Sequence, residues 1–167
     1  FANDTLEMKR LAAWDFEDIL QCAIPVFKGL LPTPHDVVVQ SLLYRFTQWH
    51  ALAKPRTHSE STLGFLDQMF KNLLRQLWKF CNLTCTVFDT VELPKEKAAH
   101  QQRFAQCAGL TNASSESSGP RVKRFNLSTY KFHAMGDYVQ MIKLFGTTDS
   151  FTTQIVSIVF STLQGCI

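Results

Sequence analysis

The chain has 167 residues, of which 46% are hydrophobic and 19% charged, enough apolar material for one core and too much for wholesale disorder. A formal net charge of +3 permits contact with nucleic acid but falls short of the basic footprint of a dedicated DNA-binding domain. No stretch reaches the roughly 18 apolar residues of a membrane helix, and no signal-peptide pattern opens the chain, so a nuclear or cytoplasmic protein is expected, not a secreted one. Five cysteines (Cys22, Cys81, Cys85, Cys107 and Cys166) are an odd set at irregular spacing, which reads as reduced thiols rather than a disulfide framework.

In chain order, Asp4 with Glu7 forms a capping-box pattern. Ala12, Phe16, Ile19, Leu20 and Ala23 then recur at helical spacing, until Gly29, Pro32 and Pro34 end the helix. Thr33 and Pro34 mark a second start, followed by the stripe Val38, Val39, Leu42, Leu43, Phe46 and Trp49. The valine run 37–39 also suits a short strand. Pro55 stops this helix, and Thr57 with Glu60 reads as a third start. A long helix follows on Leu63, Leu66, Phe70, Leu73, Leu77 and Phe80 or Cys81, with Phe88 and Val91 continuing the stripe and a break expected near residues 82–86. Pro94 opens a charged helix running to Ala108.

A Ser-rich stretch then ends in the basic cluster Arg121, Lys123 and Arg124. From Lys95 to Arg124 there are six Lys and Arg against two Glu. A last helix, capped by Asn126 or Ser128, is predicted to bury Leu127, Tyr130, Ala134, Tyr138, Ile142 and Phe145, with Gly146 at the left-handed C-cap. The pattern specifies an all-α fold, an irregular bundle with one long helix. Residues 1–109 form the bundle, 110–124 a flexible, disordered basic and Ser-rich linker, 125–154 a C-terminal helix and cap, and 155–167 an apolar tail.

Four groups carry candidate chemistry. Asp15, Glu17 and Asp18 could hold Mg²⁺, yet adjacent helical residues diverge by roughly 100°, which favours a solvated face. Cys81 and Cys85 share a helix face and, with His100 and Cys107, offer zinc-ligand types; they lack the short Cys-x-x-Cys knuckle, which favours buried thiols. Lys54 and Arg56, flanked by His50 and His58, form a candidate phosphate-contacting turn beside its plainer reading as a polar interhelical loop. Arg121, Lys123 and Arg124 are the second candidate DNA-binding cluster, or a solvated linker end. No nucleophile elbow, Walker loop, dinucleotide fingerprint or HExxH motif is present.

Four stretches carry a resemblance: DFEDILQCAIPVFKGLLPTPH (15–35), WHALAKPRTHSESTL (49–63), TCTVFDTVELPKE (84–96) and FNLSTYKFHAMGDYVQMIKLFGTTDSFTTQ (125–154). In this order and spacing they resemble the C-terminal half of Plavaka-type transposases, CACTA-like (EnSpm-related) DNA transposases of mushroom-forming fungi. The resemblance runs from about Leu11 to Gln154. It implies cut-and-paste transposition by a ribonuclease H-like core whose acidic residues bind Mg²⁺ or Mn²⁺. It also implies two catalytic acids upstream of Phe1 and a further acidic stretch directly after Gln154, where this chain continues Ile155–Phe160 instead. Trp14, Pro55 and Thr57 depart from the pattern as well.

The expectation is a helical segment adjoining a catalytic core, without catalytic residues or a cofactor of its own, whose partners are DNA and the rest of a transposase. A DNA-binding or protein-interaction module without catalysis, and a non-functional gene fragment, are the alternatives.

Overall fold

The computed structural model describes residues 13–108 and 121–146; the Asp4–Glu7 pattern, most of the Ser-rich stretch and the tail from Thr147 lie outside them. The described residues form α1 (Ala13–Phe27), α2 (His35–Ala53), α3 (Glu60–Leu83), α4 (Pro94–Ala108) and α5 (Tyr130–Phe145), with two short strands, β1 (Thr90–Val91) and β2 (Val122–Lys123). The fold is all-α apart from this ribbon, as its periodicity predicts. No helix among the described residues is long and apolar enough to cross a membrane.

The α2–α3 hairpin is the spine. All six residues of the predicted α2 stripe are buried, and the valine run is helical. On α3, Leu66, Leu73 and Leu77 are wholly excluded from solvent, each contributing about 1.5–3 kcal/mol of transfer free energy. Gln76 ties the two helices by donating from Nε2 to the Val38 carbonyl at 3.0 Å. α1 packs on α2 through Phe16, Leu20 and Ala23, and its exit turn is closed by Gly29 at φ +77°, whose N–H donates to Asp36 Oδ1 at 2.8 Å. That positive φ suits glycine.

α5 belongs to the same core. Phe132, Met135, Tyr138 and Ile142 join the cluster built by α1, α2 and α3. This corrects the predicted face: Tyr130 is 84% exposed and Phe145 59% exposed, so the buried stripe is rotated about the helix axis from the expected one. Gly146 does end the helix with positive φ (+84°), and its N–H donates to the Ile142 carbonyl at 2.9 Å. The N-cap is Thr129 rather than Asn126 or Ser128.

Two further boundaries differ. The start of α3 is capped by Ser59, not Thr57. Thr62 N–H donates to Ser59 Oγ at 3.2 Å while Ser59 N–H donates to Thr62 Oγ1 at 2.8 Å, a reciprocal box. The linker expected through Arg124 ends earlier, because Val122–Lys123 pairs antiparallel with Thr90–Val91. β-branched residues on both sides favour the pairing. Thr90 Oγ1 donates to the Lys123 carbonyl at 2.8 Å, and Glu92 N–H donates to the Arg121 carbonyl at 2.9 Å.

Candidate functional site

The two predicted basic clusters lie at opposite ends of the α2–α3 hairpin. Lys54 and Arg56 sit in its turn, while Arg121, Lys123 and Arg124 belong to the ribbon beside the far end of α3. A 24-residue helix spans about 36 Å, so the structure does not bring them together. Lys54 is engaged by Glu17 at 2.5 Å, and Lys123 by Glu96 at 3.3 Å. Arg56, Arg121 and Arg124 are exposed.

The turn is partly self-absorbed. Burial lowers the affinity of His50 for a proton, Glu17 opposes that and Lys54 adds to it. Both ring nitrogens of His58 are buried without a hydrogen-bond partner among the described residues. Glu17 faces Lys54 rather than its neighbour Asp18, which is exposed, so the acidic trio does not converge. Among the described residues no three His, Cys, Asp or Glu side chains gather in a group that could hold a metal ion.

The ribbon end holds a feature that sequence reasoning missed: a cavity of about 620 Å³, within the range of small-molecule and peptide-binding pockets. α1 and its exit turn supply Ala23, Phe27, Leu30 and Leu31, and α2 supplies Val39, Leu42 and Leu43. The end of α3 and the following loop supply Phe80, Cys81, Thr84, Cys85 and Phe88, and the second strand brings Val122, Lys123, Arg124 and Phe125. Thr84, the one buried polar residue among the described residues, lies within hydrogen-bond distance of His35 Nδ1 at 3.3 Å. The His35 ring meets Phe88 edge-on at 5.2 Å between centroids, fixing the loop that closes one side.

Cys81 and Cys85 therefore line an apolar wall. Burial pushes the Cys81 thiol above its ordinary pKa, with backbone hydrogen bonding and the Cys85 side chain opposing. A raised thiol is a poor nucleophile at neutral pH. The only sequence signal for the cavity is the abundance of Phe, fourteen in all, in segments far apart along the chain. No protein-family model, curated protein or solved structure matches the chain.

Proposed function

We propose that the chain is the non-catalytic helical portion of a transposase-type protein, a bundle that seats against a catalytic core and helps to hold DNA. The observation supporting this is where the stretches similar to Plavaka-type transposases meet. Residues 15–35 supply Phe27, Leu30 and Leu31 to the cavity, residues 84–96 supply Thr84, Cys85, Phe88 and Thr90 among others, and Phe125 opens the last stretch. Leu30 and Val122 line the hollow yet are each 62% exposed, and their neighbours Val26, Val87 and Val91 are also exposed. A hollow with an apolar rim is what a bundle leaves when a second body normally covers it. In this role Mg²⁺ or Mn²⁺ chemistry belongs to the core, consistent with the lack of a converging acidic group among the described residues.

The test is association with a separately produced Plavaka-type catalytic core, followed by a nicking assay on terminal-repeat DNA with Mg²⁺ or Mn²⁺. The wild-type chain is expected to bind the core, and the Leu30→Glu/Val122→Glu variant to lose that binding. Nicking or joining by the chain alone defeats the proposal, as does a core that ignores the wild-type chain.

A further inference from the structure

We infer that the outer face of α3 is a track for the phosphate backbone of duplex DNA, which rests, for the choice of DNA over another polyanion, on the transposase-type role proposed above. Lys71, Arg75 and Lys79 recur every four residues on α3 and are all exposed. At 100° and 1.5 Å per residue they fall within about 80° of arc, roughly 6 Å apart along the axis. Gln68, Trp78 and Asn82 are exposed on the same side. The opposite side buries Leu63, Leu66, Leu73, Leu77 and Phe80, which fixes the row outward.

A solvated helix face usually intersperses opposite charges, because pairs at i,i+4 then attract. This row does the reverse. Lys71–Arg75 and Arg75–Lys79 are like-charged i,i+4 pairs, which repel. The one acid between Gly64 and Asn82 is Asp67, which meets Lys71 at 2.6 Å in a solvent-exposed pair. Such pairs are weak and yield readily to phosphate. Arg75 donates to the amide oxygen of Asn72, a neutral partner that leaves its charge uncompensated; Gln68 donates to the same oxygen at 3.2 Å. A polyanion relieves the repulsion that the isolated helix carries. α3 itself runs from the turn bearing Arg56 to the ribbon bearing Arg124.

The experiment is anisotropy titration of a labelled duplex of about twenty base pairs with the whole chain over a salt series, for wild type and for Lys71→Gln/Arg75→Gln/Lys79→Gln. Each lost phosphate contact flattens the log K against log salt slope by about 0.9, so the triple variant is expected to be shallower by about 2–3, equally for unrelated sequences. Circular dichroism verifies its fold; should it not fold, Arg75→Gln alone is expected to flatten the slope by about 1. Wild-type binding with an unchanged slope in the variants overturns the α3 track while leaving DNA contact to other residues. Failure of the wild type to bind at about 50 mM salt overturns both the track and the DNA-holding role. Tighter binding to single-stranded DNA or to heparin than to duplex overturns the choice of partner.

Discussion

The Tyr138 hydroxyl donates to the carbonyl of Ala53 at 3.2 Å, across 85 residues of sequence, and joins the middle of α5 to the last turn of α2. That carbonyl belongs to a residue wholly excluded from solvent, and carbonyls in a final helical turn lack an intrahelical donor. The Tyr138 ring also meets Trp49 at 5.5 Å between centroids. Tyr138→Phe keeps the ring and removes the donor. It is expected to cost about 1–2 kcal/mol, the penalty for stranding a buried acceptor. Urea unfolding checks this, with a lower midpoint and an unchanged slope against denaturant as the expected result.

The rotated face of α5 makes two aromatic residues opposite in consequence. Phe132 is 7% exposed and meets Phe125 at 5.9 Å, whereas Tyr130 is 84% exposed. Phe132→Ala is expected to destabilise by about 3–5 kcal/mol, and Tyr130→Ala by no more than about 0.5 kcal/mol. Equal effects in a pair of thermal melts, or the reverse order, would show that Tyr130 faces the core.

These particulars mark how far sequence alone reaches. The α2 stripe was legible because its apolar residues have polar neighbours on the other side and only one phase of the helix fits them. On α5 the aromatic residues surround the helix. Tyr138 and Ile142 belong to both the predicted and the observed stripes, so periodicity leaves the phase open and packing decides it, with Phe70 beside Gly136 and Phe125 between Phe80 and Phe132. The two basic clusters were legible as residues, but their separation was not, because it is set by the length and direction of α3. The row Lys71, Arg75, Lys79 was also on the page of the sequence. It was overshadowed by the apolar stripe of the same helix. The cavity was illegible for a stronger reason: Leu30 and Phe125 share a wall only once α1 and the ribbon both dock at one end of the hairpin.

The cap of α3 offers a sharper comparison. Thr57 and Ser59 both carry hydroxyls, and the acid at position 60 points to Thr57 by the usual spacing. The structure uses Ser59, with Thr62 returning the hydrogen bond. Ser59→Ala is therefore expected to cost about 1 kcal/mol, while Thr57→Ala costs close to nothing. Chemical denaturation of the two single variants checks the assignment, and a larger loss at Thr57 would contradict it.

The turn between α2 and α3 also carries a pH response. Burial holds the His50 imidazole below its ordinary pKa, Lys54 acts in the same direction, and Glu17 acts against both. The unfolded chain therefore takes up a proton at this histidine first as pH falls, near about 6.5. Between that value and the lower folded-state value the unfolded state binds more protons, so stability rises with pH. Its contribution is fully present above the unfolded pKa and is lost as pH falls through the folded one. Stability of the wild type is expected to drop between about pH 7 and pH 5 by more than that of His50→Gln, which lacks the titrating group. Lys54→Met removes a repelling charge and leaves Glu17 beside His50. It is expected to raise the histidine's pKa, read directly by NMR titration of the ring protons. A His50 that titrates above its ordinary value in the wild type, or is unmoved by Lys54→Met, would mean that burial and Lys54 do not govern its charge.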